Sequence, residues 1–309
     1  MNVVVIGAEG QLGAEVMRTG KSLGWLMVPV GHVEGDLRWK ISVEDYASCR
    51  KVVGDIDRDE APISAVVNCA AYHNMPLCAK YPRLAWDINT GGPANLAKAL
   101  NLRRQLEDVL LIQVSTDCVF GEDRAPLYQE TSMRVPFTGG DDKGIYGNTK
   151  LAGELAVQSF AHRYAIVRVA TLFGVAGCRA RAGGNLIDSL VERVRDKKPL
   201  VMHTNTKVSV TYAVDAARAI CRTIDEMAIT MEHARVVHAC NDTGIGASHY
   251  EIARAVCDGL GLVETKDYVI EEAAAPRAKR MPLAPTYEMP DWKRAIRAYL
   301  VEKGYLTEL

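Results

Sequence analysis

The sequence predicts an α/β protein built on a doubly wound parallel sheet, with a smaller α/β part for substrate. Three observations carry this. The chain opens on an apolar run, Asn2 to Ile6, that passes directly into Gly7-x-x-Gly10-x-x-Gly13. Short apolar runs then alternate with helical periodicity through the first two-thirds. A further run closes on Ser115-Thr116-Asp117 and is followed by Tyr146-x-x-x-Lys150.

Each element follows from its pattern. Asn2 to Ile6 is apolar throughout, as a parallel strand covered on both faces must be. Helical periodicity runs from Gln11 to Leu23, and Leu26 to Val30 reads as a second strand. Ala65–Cys69, Val109–Val114 and Ala165–Val169 give three more. Helices are predicted near Val43–Val53, Leu84–Leu102 and Gly147–Ala161. Within the second of these, Gly91-Gly92-Pro93 predicts a kink or restart, because proline suits a first turn and disrupts an interior one. Such alternation winds right-handed, with helices on both faces: a Rossmann sheet.

Beyond about residue 171 the rhythm loosens. Gly177 to Gly184 reads as an exposed loop, then a helix over Asn185–Arg195, strands near Leu200–His203 and Lys207–Thr211, and a helix over Ala213–Ile224. The tail shows a strand at Val236–Cys240, a helix at His249–Leu260 and a Pro-rich stretch from Pro276 to Pro290. The expected division is residues 1–170 plus 201–230 as dinucleotide-binding domain and 171–200 plus 231–309 as substrate-binding domain. The second would lean over the carboxyl edge of the sheet, where such sheets bind ligands.

Composition narrows the function. The 309 residues are 48% hydrophobic and 24% charged, as in an ordinary soluble enzyme, and the net charge of −1 gives no case for nucleic acid or a membrane surface. No uncharged run is long enough for a transmembrane helix, and no basic n-region opens the chain, so a cytoplasmic protein is expected. Eight cysteines without a C-x-x-C pair read as free thiols, and no metal site is expected.

The glycine turn lets backbone N–H groups approach a pyrophosphate at a helix N-terminus. A tight strand–helix packing turn would read the same way, but its position after the first strand favours the dinucleotide. The second strand ends Val28-Pro29-Val30-Gly31-His32, with no carboxylate for a ribose 2′-OH; Glu34 is the nearest acid. That absence favours NADP(H), with NAD(H) also admitted. Tyr146 and Lys150, four apart on a helix, share one face. An ammonium beside a phenol lowers its pKa, and Thr116 at a strand end can hydrogen-bond a carbonyl oxygen as charge develops.

In these motifs the chain resembles the extended short-chain dehydrogenases/reductases, and within them the dTDP-4-dehydrorhamnose reductase group. The resemblance rests on Gly7-Ala8-Glu9-Gly10-Gln11-Leu12-Gly13, Val67-Asn68-Cys69-Ala70-Ala71, Asn89 with Asn95-Leu96-Ala97, Ser115 through Gly121, and Tyr146 through Glu154. It implies Thr116, Tyr146 and Lys150 as the catalytic trio. For the cofactor it implies Gly7, Gly10, Gln11, Leu12, Asp36, Leu37, Cys69, Ala70, Ala71, Tyr72 and Asn89, besides Tyr146 and Lys150; for substrate, Cys118, Thr171, Asn185 and Arg277. The implied activity is NADPH-dependent reduction of the C4 keto group of a nucleotide-activated deoxysugar, by a chain that could form a homodimer. An epimerase or dehydratase of the same superfamily, or a non-catalytic NADP-binding regulatory subunit, stays open.

The chain departs from the group where substrate is held. Cys118 stands for an aromatic, Thr171 for a tryptophan, and Leu77 and Lys80 for an acidic pair. Asn205 to Thr211 replaces an Asp-Gln-x-Gly-x-Pro-Thr run. Arg179, Arg181, Arg277 and Arg280 are candidates for a substrate diphosphate, and His73 for the cleft edge.

Overall fold

The computed structural model describes residues 1–32, 34, 36–101, 108–121, 125–137, 142–176, 184–264, 268–274 and 279–306. From the N-terminus the elements are β1 (Asn2–Ile6), α1 (Gln11–Ser22), β2 (Leu26–His32), β3 (Trp39–Ile41), α2 (Tyr46–Asp59), β4 (Ala65–Asn68), α3 (Met75–Lys80), α4 (Pro82–Trp86), α5 (Gly92–Leu100), β5 (Leu110–Thr116), α6 (Asp142–Phe160) and β6 (Tyr164–Val169). There follow β7 (Leu172–Phe173), α7 (Leu186–Arg195), β8 (Leu200–His203), β9 (Thr206–Val208), β10 (Thr211–Tyr212), α8 (Ala213–Thr230), β11 (Ala234–His238), β12 (Ala247–Ser248), α9 (His249–Gly259), β13 (Ile270–Ala273), β14 (Lys279–Met281) and α10 (Trp292–Glu302).

Seven strands form one parallel sheet in the order β11-β6-β5-β4-β1-β2-β3. The order reverses at β1, so the carboxyl ends of β1 and β4 part and leave a crevice. Alternate strand residues feed two cores. Val3 and Val5 pack with α1 and α8, whereas Val4 and Ile6 pack with α2, α5 and α6. Burial on both faces explains why these strands read as unbroken apolar runs.

A third core joins α7, α9 and α10 to β8, β9 and β13, around Leu190, Ile252, Ile296 and Tyr299. Its boundary runs differently from the sequence division at two places. β11, assigned to the substrate part, is the edge strand of the large sheet, because it completes one more parallel unit after α8. β8 and β9, assigned to the dinucleotide part, pair with β13 and with β12 and β14.

The region predicted to kink does so. α4 ends at Trp86, Asp87–Gly91 winds as a π-turn, and α5 restarts with Pro93 in its first turn. β3 and α10 were not foreseen. The signal for α10 was present: Asp291 caps it, and Trp292, Ala295, Ile296, Tyr299 and Leu300 lie on one buried face. Among the described residues, no helix is long and apolar enough to cross a membrane. The seven described cysteines are all free.

Candidate active site

A cleft of about 680 Å³ lies over the carboxyl ends of β1, β4 and β5. Its floor begins at the glycine turn. Gly7 takes φ +75°, a conformation that strains any residue with a Cβ. A Cβ on Gly13 would stand 2.1 Å from the Gly7 carbonyl oxygen, so only glycine lets α1 start this close to the turn. The first N–H groups of α1 have no partner within the helix and face the cleft with its positive dipole end. Gln11 lines the cleft with a buried Nε2 that has no hydrogen-bond partner. A backbone cradle and an unsatisfied donor fit a pyrophosphate. These residues would hold a dinucleotide by its phosphates.

The next strand ends complete the floor. Cys69, Ala70 and Ala71 follow β4 and line the cleft. Asn68 does not; its amide bonds Gln113 Oε1 at 2.8 Å and accepts the Ala70 N–H at 3.1 Å, which fixes the turn from below. Asn89 is also off the cleft. It sits in the π-turn, where its Oδ1 accepts from Tyr72 N (2.8 Å) and its Nδ2 donates to Tyr72 O (3.0 Å) and Thr149 Oγ1 (3.1 Å). Asn89 and Tyr72, expected at the cofactor, instead tie the loop after β4 to α6; the π-turn is what swings the Asn89 amide into that gap. Asp36 and Leu37 lie after β2 outside the lining, Asp36 exposed and Leu37 half-buried against the core.

Thr116, Tyr146 and Lys150 all line the same cleft and are all buried. Burial pushes the Tyr146 phenol well above its usual value; Cys118 and Asp117 push the same way, and a hydrogen bond with Thr116 pulls back. The expected lowering by the Lys150 ammonium is not found: burial governs the phenol, and Lys150 Nζ is turned to the Val114 carbonyl at 2.7 Å. Burial likewise lowers Lys150 to about 8, opposed by Glu154. Thr116 Oγ1 donates to Asp117 Oδ1 (3.0 Å) and accepts the Cys118 N–H (3.2 Å). Asp117 is thus a buried carboxylate inside the cleft that the sequence reading quoted without assigning a role.

One helical turn further along α6, Glu154 anchors this wall. It accepts from Ser115 Oγ (2.6 Å), Arg134 Nη1 (3.0 Å) and Arg168 through Nε and Nη2 (2.9 Å each). Burial alone would raise the Glu154 carboxyl, but the Arg168 fork holds it below the usual range. Arg168, fully buried, also reaches Glu130 O and His238.

On the covering side, Cys118, Thr171 and Asn185 line the cleft. Thr171 sits at φ 38°, an outlier for a β-branched residue, where the chain leaves β6 for β7. The Asn185 side chain caps α7 and donates to Tyr299 Oη at 2.9 Å, so it shapes the wall as much as it faces it. His73 lines the cleft. Arg179, Arg181 and Arg277 lie outside the described residues, as does the Arg280 side chain. Thr206, Val208, His249 and Met281 also face the cleft, brought there by β9, α9 and β14. Nothing local in the sequence marks them, since long-range pairing of short strands puts them there.

Fold and site together define a doubly wound protein whose cleft fits a dinucleotide. The chain belongs to the family described as the RmlD substrate binding domain, whose model matches residues 1–301. It is 28% identical over 96% of its length to a dTDP-4-dehydrorhamnose reductase of Mycolicibacterium smegmatis, covering 80% of that protein. It is 26% identical to the spore coat polysaccharide biosynthesis protein SpsK of Bacillus subtilis, over 98% of both chains. The fold matches that of a Bacillus anthracis dTDP-4-dehydrorhamnose reductase solved with NADP, at TM-score 0.79 and 23% identity, over 98% of this chain and 100% of that one.

Proposed function

We propose that this protein reduces the C4 keto group of a nucleotide-activated deoxysugar. One observation carries the reading: a buried phenol, a buried lysine and a strand-end hydroxyl share one cleft with the glycine turn after β1. A dinucleotide held by Gly7, Gly10 and Gln11 would supply the hydride. Tyr146 gives its proton to the sugar oxygen as that oxygen becomes an alkoxide, a base strong enough to take a proton even from a raised phenol. Thr116 hydrogen-bonds the same oxygen, which requires its hydroxyl to turn away from Asp117. Lys150, once released from Val114, would hold the ribose of such a dinucleotide and favour the phenolate left behind. The sugar sits between the sheet edge and the third core, and the larger structural part takes in β11.

The test is oxidation of reduced dinucleotide by purified protein offered dTDP-linked 4-keto-6-deoxy sugars. Turnover that vanishes in Tyr146→Phe, with dinucleotide binding kept, supports the reading. Dinucleotide binding without reduction of any nucleotide-linked keto sugar would overturn it.

A further inference from the structure

We propose that Glu154 is a positioning residue for the reduction: through Ser115 it holds α6 against the end of β5, so that Tyr146 on the helix and Thr116 on the strand reach one oxygen. The inference rests on the reductase reading of the cleft. It adds a residue that is fully buried and lies outside the cleft lining.

The reacting groups are divided between two elements. Tyr146 and Lys150 stand on α6, and Thr116 is the last residue of β5. A helix that slides by about 1 Å along the strand parts the phenol from the hydroxyl, and a misplacement of that size costs about a hundredfold in rate. Side-chain bonds cross from α6 to β5 behind these groups. Lys150 Nζ donates to Val114 O at 2.7 Å, and Ser115 Oγ donates to Glu154 Oε1 at 2.6 Å. The first must break for Lys150 to reach a ribose. The second stays, and both its partners are buried, Ser115 at 2% exposure and Glu154 at 0%.

Glu154 can act as a fixed point because it is itself held. Arg168, at the end of β6, grips both carboxylate oxygens at 2.9 Å, and Arg134 adds a bond at 3.0 Å. Arg168 Nη1 donates further to Glu130 O at 3.3 Å and to His238 Nε2 at 3.2 Å. His238 accepts there as a neutral ring whose Nδ1–H goes to Ala284 O at 3.2 Å; burial and the Arg168 charge bring it down to about 4. One carboxylate thus ties α6 and β5 to β6, to residues 125–137 and to residues 282–290. A buried network with its donors and acceptors matched is rigid.

The charge of Glu154 has a second consequence. It lies four residues beyond Lys150 on the same helix face and opposes the fall that burial imposes on that ammonium. The other titratable groups of this part of the cleft are Cys69 after β4, pushed up to about 12 by burial, Tyr146 on α6, raised well above its usual value, and Asp117 beyond β5. Arg168 and Arg134 stand behind Glu154.

Two variants separate position from charge. Ser115→Ala removes the bond and leaves the carboxylate in its arginines. Glu154→Gln keeps the shape and removes the charge. Turnover of dTDP-linked 4-keto-6-deoxy sugars is measured on each, with Kd for NADPH and NADH by nicotinamide fluorescence from about pH 6 to 10. In Ser115→Ala, kcat should fall about tenfold, with KM and Kd within about twofold and the alkaline loss of dinucleotide binding where the parent has it. In Glu154→Gln, kcat should fall about a hundredfold, and the alkaline loss should begin roughly one pH unit lower, because Lys150 gives up its proton sooner. Arg163→Met is the control. This buried arginine stands just before β6, at the opposite end of that strand, and donates to Asp108 O and Met227 O. Its loss should lower Tm and leave kcat unchanged. If Glu154→Gln does not fold, Ser115→Ala against Arg163→Met decides. Ser115→Ala with the parent's kcat, or Arg163→Met losing as much kcat for an equal fall in Tm, overturns the inference alone. A parent that reduces no nucleotide-linked keto sugar overturns the reductase reading together with it.

Discussion

The glycine turn after β1 and the segment from Thr204 to Thr211 both reach the cleft, yet they are made differently. In the turn, backbone does the work: N–H groups point inward, and glycine at 7 and 13 is demanded by φ and by a 2.1 Å approach. In the second segment, side chains from β9 meet others from α9 and β14, and its hydroxyls tie it to distant parts of the chain. Thr211 Oγ1 accepts from Ala170 N at 3.0 Å, and Ser209 Oγ accepts from Leu283 N at 3.0 Å. A backbone-built site tolerates few sequences and serves any ligand with the same phosphates. A side-chain-built site tolerates many sequences and selects among ligands. Substitutions on the two sides should therefore fail in different ways.

The largest effect is expected on the floor. Tyr146→Phe keeps the ring and its packing but removes the transferable proton, so kcat should fall about a thousandfold. The Kd for the dinucleotide should stay within about twofold of the parent by titration. Loss of dinucleotide binding in this variant would mean that the phenol belongs to the cradle and that chemistry and cofactor are not separable here.

Gly13→Ala comes next. Its Cβ would overlap the Gly7 carbonyl, and α1 must shift to admit it. We expect about 2 kcal/mol of lost stability, read as a lower Tm, with dinucleotide affinity weakened in the same variant. A stable Gly13→Ala protein of unchanged affinity would show that the turn is only a packing device.

This contrast also explains what could be read in the sequence. The alternation of strands and helices, the turn, and the meeting of Thr116, Tyr146 and Lys150 in one cleft were legible because each rests on a local rule: an apolar run, a glycine spacing, an i,i+4 pair. The roles of Asn89 and Tyr72 were not, because a π-turn, not a straight helix, aims the Asn89 amide. Glu9 lies within the glycine motif, but only the parallel pairing of β1 with β2 brings it beside Gly31. Thr206, His249 and Met281 come from elements that the rhythm of the chain does not announce.

Lys150 gives a smaller effect with a pH signature. Burial lowers it from its usual 10.5 to about 8, so the folded state binds this proton more weakly than the unfolded chain. Stability therefore rises with pH between about 8 and 10.5, and below 8 the full penalty stands, roughly 3 kcal/mol. Lys150→Met removes that penalty but leaves Val114 O without its donor, a cost of about 1 kcal/mol. The variant should gain about 2 kcal/mol at pH 7, a gain that shrinks as pH climbs through the same window, while turnover is lost. Melting curves at several pH values decide it; a gain that does not depend on pH would mean that Lys150 is not desolvated on the floor as the structure has it.

His249 gives the smallest effect and probes the cover alone. It starts α9, behind the Ser248 cap, half-buried at the cleft with its ring 6.2 Å from that of His203. Its α9 neighbour Glu251 is tied to Lys207 at 2.6 Å, so the backbone beneath it is fixed independently of its ring. Replacing the ring should therefore remove a contact without moving the wall. His249→Ala is expected to raise KM for the sugar nucleotide about fivefold, the size of one hydrogen bond or ring contact, with kcat little changed. The dinucleotide Kd should not move at all, because the cradle lies on the other side of the cleft and is held by backbone. A His249→Ala protein that binds dinucleotide more weakly, at unchanged KM for sugar, would reverse the assignment of floor and cover.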